Sequence, residues 1–148
     1  MPIPVFTADG ILPTGIFDCT LAEVRTRFGS FRGSDARDRL FTKLDELVTA
    51  MQRSGLFNSL LIDGSFVTAK SAPNDVDLVA VLRTGHDFER DMPMSEYALV
   101  SRALLRRRFG FDVVVAEQDS QLYLSYVEFF SRVRENPAAR KGLLRLTL

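Results

Sequence analysis

The chain contains one cysteine, Cys19, one histidine, His86, and no net charge, nineteen basic residues being balanced by nineteen acidic ones. A single cysteine excludes an internal disulfide and fits a reducing compartment. A lone histidine with no cysteine or second histidine near it argues against zinc. Zero net charge leaves no global field drawing the chain to nucleic acid or anionic lipid, so strong double-stranded DNA binding is not expected. No apolar stretch approaches the length of a membrane span, and the start of the chain has no basic region followed by an apolar core. The expectation is a cytoplasmic protein without a membrane. Internal repeats and low-complexity segments are also lacking.

What is present is an ordinary globular composition, 46% hydrophobic and 26% charged over 148 residues, which suits one domain over residues 1–148. Residues 1–19, with Pro2, Pro4, Gly10, Pro13 and Gly15, read as an irregular leader. Thr20 and Glu23 have the spacing of a capping box for a helix to Arg27. A second helix starts at Ser34, carries Leu40, Leu44, Leu47, Val48 and Met51 at helical spacing, and stops at Gly55. Ser59–Asp63 and Val76–Leu82 are near-continuous apolar runs, the pattern of strands buried on both faces. After a polar loop, Ser95 caps a helix whose inner side carries Leu99, Ala103, Leu104 and Leu105 and which Gly110 closes. Phe111–Ala116 is a third strand, Ser120–Arg134 a further helix, and Gly142–Leu148 a closing edge strand. The fold class expected is α/β (α+β), a short mixed sheet flanked by helices.

The chemistry lies between Ile62 and Leu82. An apolar run ends in Gly64-Ser65, and a polar loop then leads to Asp75 and Asp77 at the head of the next run. Glycine lets a phosphate approach the backbone, and serine adds a hydroxyl and an amide. Asp75 and Asp77 are expected on this strand, two residues apart, so they face the same way, roughly 6.5–7 Å apart at Cα. Two such carboxylates repel by about 3 kcal/mol at an effective dielectric near 20, which a cation between them relieves. Magnesium suits oxygen ligands and substrate phosphates. Asp112 interrupts the apolar run of the third strand and is the candidate third ligand and general base. Lys70 is the one cation in the loop, with a phosphate contact and plain solvation equally weighted.

Gly64-Ser65, a ten-residue step to Asp75-Val76-Asp77 and a later strand aspartate resemble the signature of the DNA polymerase β-like nucleotidyltransferase superfamily. More narrowly, Leu12 to Ile16, Asp63 to Lys70, Pro73 to Asp77 and Lys141 to Leu144 look like a small bacterial family of minimal nucleotidyltransferase-like proteins. The resemblance implies a nucleotidyltransferase-like fold with two magnesium ions on Asp75, Asp77 and Asp112, manganese being an acceptable substitute. It implies phosphates near Gly64, Ser65 and Lys70. The activity implied is transfer of a nucleotide monophosphate from a nucleoside triphosphate to a hydroxyl of protein, RNA or a small molecule. Larger members carry base- and acceptor-binding domains after the third carboxylate. Only about 36 residues follow Asp112, so a specificity surface is expected from another copy or a partner protein.

The alternative function is a non-catalytic or regulatory module, such as one component of a toxin–antitoxin or phage-defence pair. Asp63 reads as structural or solvent-facing, alternating away from the site. Arg102, Arg106, Arg107 and Arg108 suit a helix C-terminus, with guidance of a nucleotide or RNA end as the functional reading. Cys19 reads as a packed residue rather than a nucleophile. Tyr123, Tyr126, Phe129 and Phe130 read as core, with a homodimer face as the alternative.

Overall fold

The computed structural model describes residues 3–29, 35–133 and 135–148. Helix α1 (Leu21–Phe28) begins with the expected capping box: the Glu23 amide donates to Thr20 Oγ1 and the Thr20 amide to Glu23 Oε1, both at 3.1 Å. Helix α2 (Ala36–Ser54) buries Phe41, Leu44, Leu47, Val48 and Met51 along one stripe and ends at Gly55, left-handed at φ 70°. Ser34, the expected start of this helix, lies outside the described residues, and Asp35 stands at its N-cap position.

Among the described residues, seven strands follow the chain order β1 (Ile16–Cys19), β2 (Phe57–Asp63), β3 (Asp77–Leu82), β4 (Asp112–Glu117), β5 (Arg132–Val133), β6 (Asn136–Arg140) and β7 (Leu143–Thr147). Five form a mixed sheet in the order β1-β7-β2-β3-β4, parallel at its two outer pairings and antiparallel at its two inner ones. Strands β5 and β6 make a separate antiparallel hairpin. Side chains alternate across the sheet. Leu60, Ile62, Leu78, Ala80, Val113, Leu144 and Leu146 pack in the main core with α1, α2 and α4 (Arg102–Phe109). Leu61, Val79, Val81, Val114 and Leu143 face the other way, toward Tyr123, Tyr126, Val127 and Phe130 of α5 (Gln121–Phe130). The architecture is a mixed sheet flanked by helices.

Several expectations are corrected. The leader is not irregular throughout, since Ile16–Cys19 pairs in parallel with Leu143–Leu146 as the outermost strand. The closing strand is therefore interior: Leu143 and Leu144 are both buried, on opposite faces. Ser95 does not cap the long helix. The chain makes a short turn of helix, α3 (Met94–Tyr97), then breaks, and Ser101 caps α4 by accepting from the Leu104 amide at 3.3 Å. With that shift Ala103 turns outward, and Leu105 and Phe109 carry the burial. The last helix ends at Phe130 rather than Arg134, which lies outside the described residues, because the chain turns into the hairpin. Among the described residues no helix is long and apolar enough to cross a membrane.

One arginine sits where the helical stripe predicts an apolar residue. Arg37 of α2 is 1% exposed. Its guanidinium donates to the carbonyls of Phe28 (3.2 Å), Phe66 (2.6 Å), Thr68 (2.8 Å) and Lys70 (2.5 Å), and lies against the rings of Phe28 and Phe66. Buried carbonyls without donors are costly, and a bond to a charged donor contributes about 1.5–3 kcal/mol. Arg37→Leu is therefore expected to destabilise the fold by at least about 3 kcal/mol in urea unfolding. An Arg37→Leu midpoint matching the parent's would show that the arginine is a passenger.

Candidate functional site

The segment that Arg37 grips is the loop leaving β2. Gly64 lies at φ 92° and ψ −179°, a region that side chains avoid. A Cβ there would stand 2.9 Å from the Asp75 carbonyl oxygen and 3.0 Å from the Asp77 amide nitrogen. Glycine therefore lets the returning chain pass directly beside the end of β2. Ser65–Val67 then forms one 3-10 turn. The Ser65 amide donates to Asp75 Oδ1 at 3.2 Å, the Ser65 hydroxyl bonds the same oxygen, and the amides of Asn74 and Asp75 donate to Ser65 Oγ at 3.3 Å. The Asp75 carboxylate thus occupies the donors that the Gly-Ser turn offers to an anion. Gly64→Ala should cost about 2 kcal/mol or more by combining strain with backbone overlap, read as a lowered melting temperature.

Asp75 precedes β3 instead of lying on it, so the expected pair on one strand is corrected: β3 starts at Asp77. A different row takes its place. Asp77 is in register with Asp63 of β2 on one side and Asp112 of β4 on the other. Residues directly opposite across neighbouring strands share a face. Asp63, Asp77 and Asp112 therefore line one end of the sheet, on the side that α5 covers.

Each flanking carboxylate has a cation. Asp63 is buried, 4% exposed, and pairs with Lys141 Nζ at 3.1 Å. Burial pushes its carboxyl up to about 6, against the pull of Lys141 and the Gly64 amide, and Asp77 adds to the rise. The reading of Asp63 as solvent-facing is thereby corrected. Asp112 accepts a bidentate fork from Arg102, with Nε at 2.7 Å and Nη2 at 2.8 Å, and Arg106 stands 3.8 Å away. Arg102 is the first residue of α4, not part of its last turn, so Asp112 rather than the helix dipole accounts for it. Asp112 in turn raises the Arg102 pKa through that hydrogen bond.

A cavity of about 330 Å³ opens beside the row, lined by Asp63, Asp77, Phe129, Phe130, Arg132 and Lys141. Lys70 is exposed on the loop, and it is its carbonyl that Arg37 holds. The Cys19 thiol is pushed up to about 11, chiefly by burial, which fits packing and not nucleophilic attack. His86 packs edge-on to Phe88 at 4.7 Å. The donors at the sheet end are hard carboxylate oxygens, chemically suited to magnesium. Among the described residues, however, no three acidic, histidine or cysteine side chains converge on one point. Asp75 on Ser65 and Asp112 on Arg102 must both turn before they share a cation with Asp77.

From sequence, Arg37 is not singled out, Lys141 figures only in a matched stretch, and Asp63 is placed away from the site. Arg37 leaves a signal, an arginine four and seven positions before Phe41 and Leu44 on the buried stripe. Asp63 and Lys141 leave none, because their meeting depends on strand register and on the hairpin.

Fold and site together define a mixed α/β chain with an acidic row beside a glycine-serine turn. The chain belongs to DUF6932, a family of unknown function, whose model matches residues 4–147. No curated protein matches the chain, and no solved structure does.

Asp63 makes the site pH-sensitive. Its folded pKa lies above the unfolded value near 3.9, so the folded chain holds this proton more tightly. Its contribution to stability is full below about pH 4 and falls, by about 3 kcal/mol, as pH rises to about 6. Asp63→Asn should flatten that part of the melting profile between pH 4 and 6. A variant profile parallel to the parent's would place the titration elsewhere.

Proposed function

We propose that the chain is a magnesium-dependent nucleotidyltransferase with a nucleotidyltransferase-like fold. It moves a nucleotide monophosphate from a nucleoside triphosphate to a hydroxyl of a protein, RNA or small molecule. The observation that supports this reading is shared placement: Gly64-Ser65, Asp75, Asp77 and Asp112 lie at three neighbouring strand ends, at one end of one sheet, although their carboxylates do not converge on one point. Apolar packing alone gives no reason for a row of carboxylates there.

Asp75 and Asp77 are the residues that would hold magnesium, with Asp112 joining them on release from Arg102. Bound magnesium supplies charge neutralisation for the triphosphate and a lower pKa for the acceptor hydroxyl. The chain's own groups do the rest. Were Asp75 to turn away from the loop, the Ser65 amide and hydroxyl would be free for a phosphate oxygen, and Gly64 adds no side chain to block that approach. Asp112, beside Asp77 in register, would accept the proton of the attacking hydroxyl once released from Arg102. Arg102, once displaced, remains nearby as a countercharge for the leaving pyrophosphate.

The Arg102 fork on Asp112 also favours a second reading, a non-catalytic or regulatory module of a two-component system, in which the acidic row is kept neutralised. Incubation with labelled nucleoside triphosphates, magnesium and cell extract separates the two. Transfer of label that falls at least about a hundredfold in Asp75→Asn, Asp77→Asn is the expected outcome for the enzyme. Binding of magnesium and nucleotide without transfer supports the regulatory module. Failure to bind either ligand overturns the nucleotide reading altogether. Arg102→Gln should tighten magnesium binding by calorimetry, since it releases a ligand that is now taken.

A further inference from the structure

The cavity beside Asp77 has contents that neither the acidic row nor the core requires. Phe129 lines it while 61% exposed, near the end of a helix with no fully buried residue. An exposed phenylalanine forgoes the stabilisation that burial brings, so its place on a concave wall calls for an occupant. Phe130 meets it edge-on, ring centroids 5.1 Å apart, and is itself steadied by Tyr126 at 6.3 Å. Two cations share the lining, Arg132 at the start of the hairpin, which also pairs with Glu128 at 3.5 Å, and Lys141 just after it. Lys141 is fixed by the buried Asp63, so the wall is preorganised. At about 330 Å³ the cavity is within the range of small-molecule sites.

We propose that this cavity is the nucleoside subsite, the base stacking on Phe129 against the backing of Phe130 while Arg132 and Lys141 face the phosphates that lead to Asp77. The inference rests on the nucleotidyltransferase reading and adds to it where the base lies and why the chain accepts it. Stacking on an aromatic face is available to every base and is tolerant of sequence. The subsite therefore takes purine and pyrimidine triphosphates alike, with larger rings held more tightly.

Calorimetric titration with magnesium and each of the four ribonucleoside triphosphates, and separately with magnesium and inorganic tripolyphosphate, tests this. The parent chain is expected to bind the nucleotides more tightly than tripolyphosphate. Phe129→Ala should weaken nucleotide binding by about tenfold and leave tripolyphosphate binding unchanged, and Phe129→Trp should restore it. The exposure of Phe129 makes both substitutions compatible with folding, which a melting curve checks. If Phe129→Ala binds nucleotides as the parent does, or if the parent prefers no nucleotide over tripolyphosphate, the subsite is overturned while the nucleotidyltransferase reading stands. If the parent binds neither probe with magnesium, both fall.

Discussion

The guanidinium of Arg37 is the constraint on which the site depends. It reaches from the first turn of α2 to the end of α1 and to three carbonyls of the loop after Gly64. That loop is polar backbone at the foot of the main core, where carbonyls without donors would be costly. With Arg37 in place the loop closes in one 3-10 turn. The chain then returns across Gly64 at a distance that excludes even a methyl group. The close passage sets where Asp75 and Asp77 emerge, and so the packing of α2 controls the position of groups more than thirty residues further along the chain.

From that point the sheet does the positioning. Antiparallel pairing of β2 with β3 and parallel pairing of β3 with β4 put Asp63, Asp77 and Asp112 side by side. The row's carboxylates and nearby Asp75 repel, and the fold offsets much of this from within. Lys141 faces Asp63, Arg102 forks onto Asp112, and Ser65 with its neighbouring amides takes Asp75. The arrangement is a resting one in which amino-acid cations and donors stand where a metal ion and a phosphate are proposed to go.

The parts that were legible in the sequence are local. The Thr20–Glu23 box and the left-handed glycines Gly55 and Gly110 mark helix ends because each acts within one turn. The apolar runs of β2, β3 and β4 stood out because both of their faces are buried. What was hidden depends on distant partners. Strand β1 exists because Leu143–Leu146 lies beside it, and the Asp18–Arg145 fork that ties them spans 127 positions. The alternation Leu144, Leu146, Leu148 suggested an edge, whereas Leu143 on the opposite face is equally buried and makes the strand interior. The face on which Asp63 lies follows from its register with Asp77, which one strand's alternation cannot reveal. The Gly-Ser and Asp-x-Asp stretch reads as one anion and cation site, and in the fold Ser65 and Asp75 bond each other. That Asp75 would rest on Ser65, and Asp112 on Arg102, had no signature in the spacing.

The central claim is that these internal partners stand in for a metal ion and a phosphate. It is tested most directly by a crystal structure of the chain grown with manganese and a non-hydrolysable nucleoside triphosphate, with anomalous data at the manganese edge. The account predicts an anomalous peak bound by Asp75 and Asp77, the Asp75 carboxylate withdrawn from Ser65, a phosphate oxygen on the Ser65 amide, and Asp112 released from Arg102. Density without manganese at the acidic row, with the Ser65–Asp75 and Arg102–Asp112 pairs intact under saturating ligand, would contradict it.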